Sequence, residues 1–356
     1  MSIPTASWGQ ALAWRSQRQL LVPRGPVGAT EVVTRLGAVL AMDESLADLA
    51  VAARSTTARG GDLTRALADG SLVQVFAFRG AMHYVSPAEG GSYLALRCAG
   101  RQWELPSWVE HYRLSPEDWP GFRATVREAL RGGPLTVAEL GEAVSAHRAY
   151  RHLRPTFEDG AGTLLKPLTW QGDMSLGPRR DGQLTLQSLE GNPAWRGVPD
   201  LDDAGPDAIR AYLRSYGPAT PDHVHHWLGS GLSAGRRRLD RWWGELVDEL
   251  AAIDVDGTTA YVVTDDLESL LASAPTGSVR LLPGHDQWVM GPGTKDEHVV
   301  PAELRDLVTR KANLVVADGV VAGTWSRRGG DVEVRWLGDG TPPQAAIDEE
   351  TARLSE

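Results

Sequence analysis

The stretch from Val32 to Ser86 leaves this chain few folding options. Apolar residues at 32, 33, 36, 39, 40 and 42 approach the i, i+3, i+4, i+7 spacing of a helix with one buried face, which predicts a helix across VVTRLGAVLAM. Asp43 to Ala53 repeats the spacing through Leu46, Leu49 and Val51. Asp62 stands where an N-cap belongs ahead of a short helix, residues 63–68, which Gly70 closes. The period then changes. Val73, Val75 and Ala77 alternate with Gln74, Phe76 and Phe78, Arg79-Gly80 interrupts, and residues 82–85 resume the run. That is the pattern of two strands joined by a tight turn. Three short helices followed by a hairpin make a winged-helix unit, a helix-turn-helix variant.

The same order recurs twice. Between Pro116 and about Glu190 the chain offers a helix at 122–130, a Gly-Pro turn, a helix capped at Thr136, and a hairpin across LLKPLTWQGDMSLGPRRDGQLTLQ with Arg179-Arg180 near its tip. From Asp203 a helix at 208–216 leads to GPATPDHVHHWLG, then to SAGRRRLDRWWGELVDEL, read as a longer helix, and to a hairpin turning at Asp256-Gly257. Gly133-Pro134-Leu135-Thr136 and Gly217-Pro218-Ala219-Thr220 align as a weak internal repeat. The remainder, 278–337, holds short apolar runs with Asp-Gly and Gly-Gly turns, and the chain closes on an acidic helix or tail. The expected fold is α+β: three tandem winged helices with a small C-terminal β-barrel-like subdomain. The expected boundaries are 1–112 (with a lead-in helix from Trp8), 113–200, 201–275, 276–340 and a tail at 341–356.

Charge and cysteine usage narrow the partners. A net charge of −10 argues against coating nucleic acid by bulk attraction, but a local basic groove needs only a handful of side chains. Candidates are Arg79, Arg179, Arg180, Arg236, Arg237, Arg238, Arg241, Arg327 and Arg328, at turns or on one helix. The single cysteine, Cys98, excludes an internal disulfide and a cysteine-built zinc site. His223, His225 and His226 lack an obvious third metal ligand and read as structural or surface residues. No apolar run approaches the roughly 18 residues needed to span a membrane, and MSIPTASWGQ lacks a secretory layout. A cytoplasmic monomer without metal or other cofactor is the expectation.

VVTRLGAVLA, LVQVFAFRGAMHYVSPAE, RAYLRSYGPATPDHVHHWLG, VRLLPGHDQWVMG and VVADGVVAGTW together resemble the bacterial winged-helix DNA-glycosylase family typified by AlkZ. The resemblance runs from about residue 8 to 340. Arg79-Gly80 with His83, and the LLPxxDxxVxG element from Leu281 to Gly291, are its most specific parts. It implies three winged helices and a β-barrel enclosing a basic channel for double-stranded DNA, and excision of bulky alkylated purines, as in alkylation-damage repair or self-resistance. The family's catalytic signature is Gln-x-Gln or Gln-x-Asp on a helix of the first domain. Matched residue by residue, those positions are Leu40 and Met42, which neither accept a proton nor orient water. Asp43 lies one residue on, about 100° further round a helix. Asp43 and His83 are therefore the candidate catalytic groups, and Asp286 is expected to be structural, bonding turn amides.

Three functions follow as expectations. The first is a protein that recognises alkylated or adducted duplex DNA, with base excision in doubt at positions 40 and 42. The alternative is a protein that binds or transforms an aromatic small molecule, such as a natural product, in an apolar pocket at those positions. A transcription regulator is the third.

Overall fold

The computed structural model describes residues 3–355. The chain divides into two compact units, one made of Met1–Asp62, Ile209–Trp227 and Asp240–Glu356, the other of Leu63–Ala208 and Leu228–Leu239. These units cross the boundaries expected from the repeat. The reason lies in strand pairing. The first hairpin, Val73–Phe76 with Met82–Val85, does not stand alone as a wing. Gln74 pairs with Leu176 of the second hairpin, so the two share one sheet.

In the second unit that sheet carries Met174–Arg180 against Gln183–Ser188, with Leu135–Thr136 on the far edge. The turn of the first hairpin puts Arg79 (φ 55°) and Gly80 (φ 75°) in left-handed conformations, and the Ala81 amide donates to the Phe78 carbonyl at 3.2 Å. This is the geometry of a type I′ turn, whose twist matches that of the strands. Thr136 caps the helix Val137–Ala146 in a capping box with Glu139, as its sequence spacing requires. LLKPLTW, expected to open the second hairpin, instead forms the helix Leu165–Trp170. The strand begins only after Gly172 (φ 76°), where a left-handed residue ends the helix.

The first unit holds the helices Trp8–Arg18, Ala29–Leu36 and Glu44–Ala52 and two sheets. Thr5–Ala6 runs parallel to Leu250–Val255, which pairs in turn with Thr258–Val263 across Asp256-Gly257. The second sheet is antiparallel, in the order Val279–Leu282, Asn313–Ala317, Val320–Arg328, Asp331–Trp336. It is not a closed barrel, since among the described residues its first and last strands do not pair. The acidic C-terminal segment explains this. It forms the helix Gln344–Ser355, and Ile347 and Leu354 pack with Val279, Leu281, Val315 and Trp325. A helix thus covers apolar surface that closure would otherwise bury. Among the described residues no helix is long and apolar enough to cross a membrane.

Candidate active-site cleft

Leu40 and Met42 lie in the first unit, but not on a helix. Ala29–Leu36 stops at Gly37, whose left-handed backbone (φ 71°) ends it, and Val39–Leu40 is extended. Asp43 is extended as well (φ −146°, ψ 115°) and caps the following helix, its Oδ1 accepting from the Leu46 amide at 3.2 Å. The helix expected across 32–42 is therefore two elements. The apolar spacing was met by a helix up to 36 and by a strand at 39–40, buried at Val39 and half-buried at Leu40, a mixture that periodicity alone does not separate. One consequence concerns Asp43. The 100° rotation that turned it away from Met42 presupposed a helix, and without one Asp43 lines the same cleft as Leu40 and Met42.

Both walls of this cleft are pinned by distant sequence. Ser215 and Tyr216 donate from their hydroxyls to the carbonyls of Arg35 and Leu36, each at 2.7 Å, and so fix the end of the first helix. Opposite, LLPGHDQW leaves the strand Val279–Leu282 and turns at His285 (φ 59°) into the short helix Gln287–Met290. Asp286 caps that helix through the Trp288 amide at 2.8 Å, the structural role expected of it. It also takes two bonds from Arg54, 2.8 Å from Nη1 and 2.6 Å from Nη2, in a pair with neither side chain exposed.

Between these walls lie Leu40, Met42, Asp43, His285, Gln287 and Lys311. The enclosed volume is about 20 Å³, room for about one water. That corrects the apolar aromatic pocket expected at positions 40 and 42. Met42 is instead 58% exposed on the rim. Lys311 Nζ stands 3.7 Å from Asp43 Oδ2. Gln287 is 2% exposed, and its Oε1 is buried without a hydrogen-bond partner among the described residues. Gln287, Lys311 and Arg54 escaped the sequence reading. Lys311 is one of only three lysines, a faint signal, whereas nothing local marks Arg54 as the partner of a residue 232 positions away.

His83 lies in the second unit, on the strand Met82–Val85, and is 2% exposed. Its Nδ1 is 3.0 Å from the Ala81 carbonyl, and Phe78 meets the ring edge-on at 5.4 Å. Burial pushes the imidazole down to about 4, opposed by the bond to Ala81. The ring is thus held inside its own hairpin, apart from the residues that line the cleft at Asp43. The shift fixes a sign. Below the ordinary value near 6.5 the unfolded chain takes up a proton that the folded ring refuses, so stability falls as pH drops from 6.5 toward 4 and is level above 6.5. At pH 5 this term is worth about 2 kcal/mol. Urea unfolding at pH 7 and pH 5 is expected to show it as an acid loss larger in the native protein than in His83→Phe. Equal losses would remove the assignment.

The arginine candidates differ in freedom. Arg79 is exposed at the hairpin turn. Arg179 donates to the Gly182 carbonyl at 2.9 Å, while Arg180 pairs with Glu139. Arg236, Arg237, Arg238 and Arg241 are all exposed on the helix Arg236–Glu245. Arg238 bonds the Ala234 carbonyl at its base, and Arg241 lies 3.6 Å from Glu245. Arg327 is tied to the Leu354 carbonyl, and Arg328 lies 3.5 Å from Glu333. His225 bonds Asp240 at 2.9 Å, and His223 stands 3.8 Å from Asp296. Among the described residues no group of three histidine, cysteine, aspartate or glutamate side chains is placed to hold a metal ion.

Residues 33–356 match the family described as DNA glycosylase AlkZ-like. An interstrand DNA cross-link repair glycosylase of Streptomyces sahachiroi is 39% identical over 326 residues, which cover 90% of this chain and 88% of that protein. The solved structure of the Streptomyces sahachiroi DNA glycosylase AlkZ superimposes with a TM-score of 0.90 at 36% identity, over 99% of this chain and 96% of the other.

Proposed function

The chain belongs to the AlkZ-like DNA glycosylase family, and from that premise we propose that it binds duplex DNA carrying alkylated or cross-linked purines and hydrolyses the base–sugar bond with Asp43 as the catalytic group. The observation that carries this reading is the placement of Asp43 beside Leu40 and Met42 in one cleft with room for about one water. Alkylation at N7 gives a purine positive charge, so the bond to the sugar breaks toward a neutral base and leaves an electron-poor C1′. A carboxylate there does two things. It stabilises the developing positive charge, and it accepts the proton of the attacking water. Asp43 needs one oxygen for the Leu46 amide, which leaves Oδ2 toward Lys311 and the cleft. The role shared by two glutamines in the family motif thus falls to one residue displaced by a single position. Three winged-helix modules presenting exposed arginines to the phosphates, the row at 236–241 foremost, complete the reading.

The test is release of base from duplex containing N7-alkylguanine. Asn is as good an N-cap as Asp, so Asp43→Asn keeps the helix start while removing the carboxylate. It is expected to slow release about 100-fold. Leu40→Gln/Met42→Gln is expected to raise the rate, and to restore it in the Asp43→Asn background. Release at an unchanged rate by Asp43→Asn would refute the role of Asp43.

The small-molecule reading moves to another place. In the second unit a cavity of about 600 Å³ is lined by Trp103, Trp119, Pro116, Pro120, Cys98 and Arg123, a size and chemistry suited to an aromatic compound. Thermal stabilisation by such a compound, abolished in Trp119→Ala, would favour it.

A further inference from the structure

Two clusters of basic side chains in this protein are each held by one carboxylate. Arg123 and Arg127 share Asp173, and Arg24, Arg280 and Arg353 share Glu350. One convergence in the second unit lacks such a partner. Arg97, on the helix Gly90–Cys98, is 7% exposed and lies over the Trp170 ring at 5.0 Å. Its Nη1 donates to the Ser230 carbonyl at 3.3 Å, while its Nε is buried and unpaired. Lys166, half-buried on the helix Leu165–Trp170, lies 5.3 Å from the Phe76 ring centre. Among the described residues neither cation pairs with an aspartate or glutamate.

The two heads address the same point. A methyl group placed on Gly80 would stand 3.6 Å from Arg97 Nη2 and 3.7 Å from Lys166 Nζ. Gly80 has φ 75°, which favours glycine there, so no side chain covers the pair from the turn. Gly231, also left-handed at φ 77°, leaves Arg97 Nη1 similarly uncovered. Both heads lie within 3.7 Å of that one point, so their like charges repel. The titration of Lys166 agrees: burial and then the charge of Arg97 lower it. Only an anion between the heads turns this repulsion into attraction. An oxyanion with several acceptor oxygens suits a guanidinium edge and an ammonium at once.

We propose that Arg97 and Lys166 form a phosphate-binding pair at the Phe78–Ala81 turn, and that its occupant is a backbone phosphate of the bound duplex. This rests on the DNA-binding reading above. Exposed Arg79, on the same turn, stands where the strand of nucleic acid would continue. The pair also gives Gly80 a purpose: it opens the space whose back wall the buried Arg97 fills.

Lys166→Met keeps the apolar stem against Phe76 and removes one charge, so it serves beside the more buried Arg97→Met. Affinity for an undamaged duplex is measured by fluorescence anisotropy from 50 to 200 mM salt. The log–log slope is expected to be shallower by about 0.9 in Lys166→Met, the value for one lost phosphate contact, with the melting temperature retained. Melting of the native protein in inorganic phosphate forms the second arm. Stabilisation by phosphate that Lys166→Met abolishes, together with an unchanged DNA slope, would assign the pair to a free phosphate compound and overturn the duplex. An unchanged slope without such stabilisation would overturn the pair as a phosphate site altogether. Should the native protein show no salt-dependent DNA binding, the DNA-binding reading itself falls, and the phosphate arm still decides the chemistry of the pair.

Discussion

Asp286→Ala is expected to destabilise the protein by about 3–5 kcal/mol, the cost of leaving a buried charge without its partner. Arg54 is 0% exposed, and the Asp286 carboxylate is the acceptor of two of its bonds, at 2.6 and 2.8 Å. Remove that carboxylate and the guanidinium retains only carbonyl and amide oxygens: Ala50 at 2.8 Å and Gln19 at 3.5 Å. The same substitution deletes the cap on the helix Gln287–Met290, a further loss of about 1 kcal/mol. A double replacement separates pairing from burial. Arg54→Met/Asp286→Leu takes out both charges and is expected to recover most of the loss, because a buried ion pair often contributes little against an apolar pair of similar volume. Urea midpoints of the two singles and the double close the cycle. A single substitution costing under about 1 kcal/mol would show that the pair does not hold the cleft wall.

Gly291→Ala is the second large effect, expected at about 3 kcal/mol. An added Cβ would sit 2.1 Å from Tyr216 Cε1 and 2.3 Å from Cδ1, so the ring must move. Tyr216 is 1% exposed and its hydroxyl holds the Leu36 carbonyl, while Tyr212 holds the Gly291 carbonyl at 3.1 Å. Displacement therefore adds overpacking to the loss of a buried hydrogen bond. Tyr216→Phe isolates the second contribution and is expected to cost about 1 kcal/mol. Pairing it with Gly291→Ala is expected to give less than the sum, since both act through one ring. Additive losses would mean that the glycine serves some other contact.

These residues also mark where sequence reasoning reaches its end. The hairpins were legible because their signals are local: period-two alternation, Asp256-Gly257 and Arg79-Gly80 at the turns, Thr136 three residues before Glu139. The lead-in helix was visible for the same reason, whereas the acidic C-terminus read equally as a helix or a tail. The segment 37–43 was misread because one apolar list fits a helix and a buried strand equally well, and Gly37 in left-handed geometry decided between them. The sharing of one sheet by the first two hairpins, and the covering of the last sheet by a helix instead of closure, depend on contacts across a hundred residues or none of the neighbouring sequence at all. The resemblance drew attention to Leu40 and Met42 through the side chains that its implied motif would have placed there. That Asp43 joins them in one cleft became visible only once the backbone there was known to be extended.

The hydroxyls of Ser215 and Tyr216 reach back 180 positions to clamp the end of a short N-terminal helix. During synthesis, then, the ribosome releases that helix long before its clamp exists, and Arg54 emerges well ahead of Asp286. Completion of this cleft is consequently a late event, reached when the C-terminal third returns to its beginning, and a fragment cut short before residue 286 would lack one of the cleft's two walls.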